Sequence, residues 1–144
     1  MILPISLTAA AAAALINLWL GWRVGQVRIK EKVLMGDGGS PRVLARMRAH
    51  ANFTEYTPFV LILIALIEFA AGTTLWLWAV MAVYMVARIA HAFGMDADTP
   101  SKARGAGIGV TMLVLLGLAL YGAWIAHTTD DRFVHPPIDM VPTA

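Results

Sequence analysis

The residues of this chain best equipped for chemistry lie in one short run, Arg48-Ala49-His50-Ala51-Asn52-Phe53-Thr54-Glu55-Tyr56-Thr57-Pro58. Wound as a helix at about 100° per residue, the run places Arg48, Asn52, Glu55 and Tyr56 within roughly a third of the circumference, with His50 pointing the other way. A second set, Tyr84, Arg88, His91 and Met95, is spaced i, i+4, i+7 and i+11 and also shares one helical face. The two stripes can line one cleft. A guanidinium and a carboxylate at the edge of hydrocarbon are costly unless they meet each other or a polar ligand. The plain reading is that Glu55 pairs with Arg48 or Arg88 and holds helices together; the sharper reading adds a ligand.

The elements that position these residues are set by composition. Hydrophobic residues make up 59% of the 144, charged residues only 14%, and the mean hydropathy is +0.70. A soluble domain of that size would expose too much apolar surface, so a membrane protein is expected. A hydrocarbon core of about 30 Å takes roughly 20 apolar residues per helix, so four spans nearly use up the chain. The expected fold is all-α, an integral membrane four-helix bundle in a single domain, with helices over about 2–32, 41–71, 75–94 and 103–127.

Local signals place the ends. The first apolar run opens with Pro4 near its first turn; lacking a basic flank and too long for a signal peptide, it is expected to be retained. Gly36-Asp37-Gly38-Gly39 breaks the chain, Ser40 suits an N-cap and Pro41 the first helical position. Pro58 predicts a kink, and the short Gly72-Thr73-Thr74 link makes helices 2 and 3 antiparallel neighbours. The segment 128–144, with Pro136, Pro137 and Pro142, is expected to be irregular.

Seven of the eleven basic residues fall between Arg23 and Arg48, and Arg88, Lys102 and Arg104 belong to the same membrane face. Positive charge marks the cytoplasmic side, so both termini are expected outside, with the helix 1–2 and 3–4 loops cytoplasmic. Trp76, Trp78 and Trp124 then sit at the outer interface, and Trp19 and Trp22 at the inner one. The pI of about 9.3 is accordingly a topology signal. The basic residues flank bilayer spans and form no nucleic-acid reading motif, so a nucleic-acid partner is not expected. Cysteine is absent, so any thiol chemistry has to arrive with a small molecule.

Arg48-x-x-x-Asn52-x-x-Glu55-Tyr56-x-Pro58, Tyr84-x-x-x-Arg88-x-x-His91 and the basic end of helix 1 together resemble the membrane-associated proteins in eicosanoid and glutathione metabolism. That family includes microsomal glutathione transferases and leukotriene C4 synthase. The resemblance runs to about His127, and the Gly-Asp-Gly-Gly loop and the Arg-Ala-His-Ala-Asn-Phe run look most like small bacterial members, which implies the bacterial inner membrane. It also implies a homotrimer that binds glutathione between neighbouring subunits, in a cleft open to the cytoplasm, and uses it against hydrophobic electrophiles or lipid-like substrates. On this reading Arg48, with Arg28 or Lys30, takes the carboxylates of glutathione, Glu55 its ammonium, and Asn52 and Tyr56 its peptide groups. Arg88 and His91 complete the pocket, His91 standing where eicosanoid-type members have a tyrosine. The family places a thiol-activating arginine at the start of helix 4, which implies Arg104, with Lys102 second.

Plainer readings stand beside these. Arg104 also serves as an ordinary topology arginine. The Gly36–Gly39 loop lacks the Lys-Ser/Thr of a phosphate loop, and Asn52-Phe53-Thr54 matches a glycosylation acceptor only in spelling. Gly105-x-x-x-Gly109 suggests close helix packing. A haem or metal clamp by His50 and His91 is disfavoured because His50 faces away from the stripe, and no metal site is expected. Two function classes remain: a glutathione-dependent transferase or peroxidase, and a non-catalytic member of the same fold that binds lipid or a partner protein.

Overall fold

The computed structural model describes residues 2–97, 99 and 101–133. Its four helices are α1 (Pro4–Glu31), α2 (Pro41–Ala71), α3 (Leu75–Gly94) and α4 (Lys102–Phe133), and no strand occurs among the described residues. Each is long and apolar enough to cross a membrane. A bilayer core offers no water to backbone N–H and C=O groups, and helices satisfy those groups within themselves.

The helix starts follow the expected chemistry. Pro4 opens α1, Pro41 opens α2, and the Ser40 Oγ accepts from the Val43 N–H at 3.3 Å. At its other end α1 closes on Lys32 in the left-handed region at φ 58°, whose N–H turns back to carbonyls of the last turn. α2 runs unbroken through Pro58.

The helix ends depart from expectation in two places. α1 begins at Pro4 and stops at Glu31, two residues and one residue inside the expected bounds. More substantially, α4 continues to Phe133, so the irregular segment expected from Thr128 does not begin there. No glycine or proline lies between Gly122 and Pro136 to stop the helix. Thr128 turns its Oγ1 back to the carbonyls of Trp124 and Ile125 at 3.0 and 3.1 Å. Residues 134–144 lie outside the described residues.

The core is a shared seam. α1 contributes Ile5, Ala9, Ala13, Ile16 and Leu20, α2 Phe53, Val60, Ile64 and Ile67, and α3 Leu77, Met81, Tyr84 and Met85, all buried. The small Ala9 and Ala13 let helix backbones approach closely, the contact that holds helices together where apolar burial brings no gain over lipid. α4 adds Leu118 as its buried member, with Val114, Leu115, Tyr121 and Ile125 packed against the seam, and lies chiefly on α3. The two helices meet tightly at Gly107, where a Cβ would lie 2.6 Å from His91 Cβ and 2.8 Å from the Ala87 carbonyl oxygen. Gly94 is equally tight against the Arg104 backbone, at 2.4 Å. The Gly105 and Gly109 pair expected to permit packing has nothing within 4 Å, because both point away from α3 while Gly107 between them faces it.

At the end opposite the basic residues, Glu68 of α2 is fully buried. Its carboxylate accepts from the backbone N–H groups of Ile5 and Ser6 at 3.0 and 2.8 Å, and from the hydroxyls of Ser6 and Thr73 at 2.6 and 2.9 Å. Leu3 offers α1 no side-chain cap, so an acid from a neighbouring helix fills the place, where the helix dipole also favours negative charge.

Candidate functional site at the basic end of the bundle

The site is organised around Arg88. Its side chain is 1% exposed and lies between α2, α3 and α4. Nη2 donates to Asn52 Oδ1 of α2 at 2.7 Å and Nη1 to Thr111 Oγ1 of α4 at 3.0 Å, while Nε has no partner. Thr111 in turn donates to the Gly107 carbonyl at 2.9 Å, and the Phe53 ring lies 5.8 Å from the guanidinium carbon. One turn deeper, the Tyr84 and Thr57 hydroxyls meet at 2.9 Å. The two expected stripes therefore do meet, through Asn52 with Arg88, while Tyr84 takes Thr57, a residue outside the expected α2 stripe. A buried cation held only by neutral acceptors is expensive, and no carboxylate pairs with it among the described residues.

The rest of the α2 stripe turns outward. Arg48 and Glu55 are exposed and Tyr56 half-buried, and neither charged group has an ion pair or hydrogen bond among the described residues. The plain expectation that Glu55 pairs with Arg48 or Arg88 is therefore not met within the chain. Arg88 spends its donors on Asn52 and Thr111 instead. Asn52 accepts with Oδ1 and keeps its amide donors, so it sits in a fixed orientation between two unsatisfied opposite charges.

The flanking residues divide. Arg28 and Lys30 are about 200° apart around α1 and so face opposite ways. Arg28 is half-buried against the helix 1–2 loop, donating to the Leu34 carbonyl at 3.2 Å and contacting Met47 Sδ at 3.3 Å. Lys30 is exposed and borders a separate cavity with Arg42. On α4, Lys102 and Arg104 are both exposed. The Arg104 backbone is pinned all the same: its N–H donates to Ser101 Oγ and its carbonyl accepts from His91 Nδ1, both at 3.1 Å. Since a carbonyl only accepts, His91 carries a proton on Nδ1 and presents Nε2 elsewhere. His50 donates from Nε2 to Asn17 Oδ1 of α1 at 2.8 Å, remote from His91's partner.

The sequence profile of the MAPEG family matches residues 6–124, spanning all four helices. The chain belongs to the MAPEG family. Inner membrane protein YecN of Escherichia coli strain K12 is 26% identical over 121 residues, which is 83% of this chain and 91% of that protein. YecN of Escherichia coli O6:H1 strain CFT073 aligns with the same identity and coverage.

This MAPEG chain also carries a device that the motif reading passed over. Asp96, just past α3, is gripped by Arg23 of α1 and by Arg46 of α2, whose Nε lies 3.3 Å from Oδ1. Arg46 donates further to the Arg23 carbonyl at 3.1 Å. The Arg23 guanidinium lies over the rings of Trp19 and Phe93, at 4.7 and 5.2 Å, and only 6% of the residue is exposed. The signal was present as an acid directly after α3, ahead of the basic Lys102 and Arg104, but its partners lie 73 and 50 residues away in the chain. The clamp binds the basic ends of three helices and holds the start of the helix 3–4 connection.

Proposed function

We propose that this protein is a membrane-bound glutathione transferase, with peroxidase activity in reach of the same site, that acts on hydrophobic electrophiles as a homotrimer. Its basic end faces the cytoplasm, in keeping with the charge bias, and its membrane is the bacterial inner membrane, in keeping with the name of the YecN relative.

The observation that carries the reading is the face of α2 on which Arg48 and Glu55 stand exposed and unpaired on either side of an Asn52 locked by Arg88. Two opposite charges left open beside a membrane are costly in a finished protein. They suit a zwitterion that has carboxylates for Arg48 and an ammonium for Glu55, and a neighbouring subunit can close the site over it. Asn52 and Tyr56 then orient the ligand's peptide groups, and Arg88 acts by fixing Asn52. His91 bridges α3 to the Arg104 backbone and so sets where the Arg104 side chain starts from.

Bound glutathione supplies a thiol, whose thiolate is the nucleophile. Arg104, with Lys102 behind it, lowers the thiol pKa by placing a positive charge beside the developing anion, and the proton leaves to solvent at the cytoplasmic mouth. The hydrophobic electrophile approaches from the lipid side, where every helix presents exposed apolar side chains.

Calorimetric titration of glutathione into the detergent-purified protein, with its subunit number measured in parallel, tests this directly. Saturable binding to a trimer, abolished in the Arg48→Ala, Glu55→Ala double variant, is expected. Ultraviolet thiolate absorbance of bound glutathione should fall in Arg104→Ala. Absence of binding to folded, assembled protein would sink the glutathione reading and favour a non-catalytic lipid- or partner-binding member.

A further inference from the structure

A cavity of about 650 Å³ opens at the basic end among the last turn of α1, the first turns of α2 and the segment just past α3. Lys30, Arg42 and Arg46 line it together with Glu31 and Asp96, while Val27, Ala45 and Met95 give it an apolar wall. Asp96 is already neutralised by Arg23 and Arg46. Counting Arg23 behind it, four cations face two carboxylates, an excess of two positive charges. Neither Lys30 nor Arg42 has a partner among the described residues.

We propose that this cavity binds a phosphate-bearing anion, supplied by the head group of an anionic phospholipid. Its position favours that source, because it lies at the ends of three membrane-spanning helices, the level at which lipid phosphates stand. Basic pockets between transmembrane helices on the cytoplasmic side are a recurrent way of holding acidic head groups. The two unpaired cations meet the phosphate, and the Val27, Ala45 and Met95 wall accommodates the glycerol and first acyl carbons. The cavity is separate from the glutathione stripe. Its α2 residues precede Arg48, and Lys30 lies on the face of α1 opposite Arg28.

The test titrates short-chain phosphatidylglycerol, short-chain phosphatidylcholine and inorganic phosphate into the full-length protein in an uncharged detergent, read by calorimetry and by the thermal unfolding midpoint. Phosphatidylglycerol is expected to bind saturably and phosphatidylcholine not. Binding should weaken about 25-fold in Lys30→Gln, Arg42→Gln, and tighten about fivefold in Glu31→Gln. The Arg48→Ala, Glu55→Ala variant should bind the lipid as the parent does, which separates this site from the glutathione cleft. Competition by inorganic phosphate would support the same site with a soluble phosphate as its source. Equal affinity for the two lipids, or affinity unmoved by both the Lys30/Arg42 and the Glu31 substitutions, would overturn the proposal.

Discussion

Replacing Glu68 by alanine should be among the most damaging single changes available to this protein, although Glu68 lies at the far end from the candidate site. The carboxylate accepts four hydrogen bonds. Thr73 is exposed and can turn to water, so its loss costs little. The Ile5 N–H is buried and has no alternative, at about 1–3 kcal/mol for an orphaned buried donor. The Ser6 N–H and hydroxyl are part-buried and add about 1 kcal/mol between them. Relief of the buried charge returns part of this, leaving a net loss of about 1–3 kcal/mol. Glu68→Gln keeps one acceptor oxygen but turns an amide towards a donor, and should lose about half as much. The assay is reversible unfolding in mixed detergent micelles followed by helicity, run as a cycle with Ser6→Ala, where a coupling of about 1 kcal/mol is expected. A Glu68→Ala protein within about 0.5 kcal/mol of the parent would refute the reasoning, because it would mean that the start of α1 needs no acceptor from α2.

At the α3–α4 contact, Gly107→Ala should cost about 1–3 kcal/mol by forcing α4 off His91 and Ala87, while Gly109→Ala should be neutral or slightly stabilising in the same unfolding assay. Asp96→Ala removes the shared partner of Arg23 and Arg46 and should destabilise by about 1–3 kcal/mol, less than a fully buried pair because the Asp96 side chain is 33% exposed. Arg88→Met should leave unfolding stability within about 1 kcal/mol of the parent or raise it, since a buried charge held by neutral acceptors is replaced by an apolar chain of similar length. Calorimetry on the same variant should show glutathione affinity at least about tenfold weaker, a loss of about 1.4 kcal/mol, because Asn52 is no longer oriented. Preserved affinity would remove Arg88 from the site.

Much of this protein was determined by the sequence alone. Four apolar runs near the length of a bilayer leave few alternatives to four spanning helices, and Ser40, Pro41 and Gly72 mark helix ends by local backbone chemistry that needs no tertiary partner. Which residues share a helical face follows from the 3.6-residue turn, so the Arg48 and Arg88 stripes were legible before any fold was known. Periodicity, however, says nothing about which helix a stripe meets or how closely. Only the tertiary structure decided that Arg88 takes Asn52 and Thr111 rather than Glu55, and that Gly107 rather than Gly105 or Gly109 sits against α3. The Glu68 cap and the Asp96 clamp were hidden for the same reason. Each joins residues 50 or more positions apart, and a single sequence contains the charges but not the distances between them.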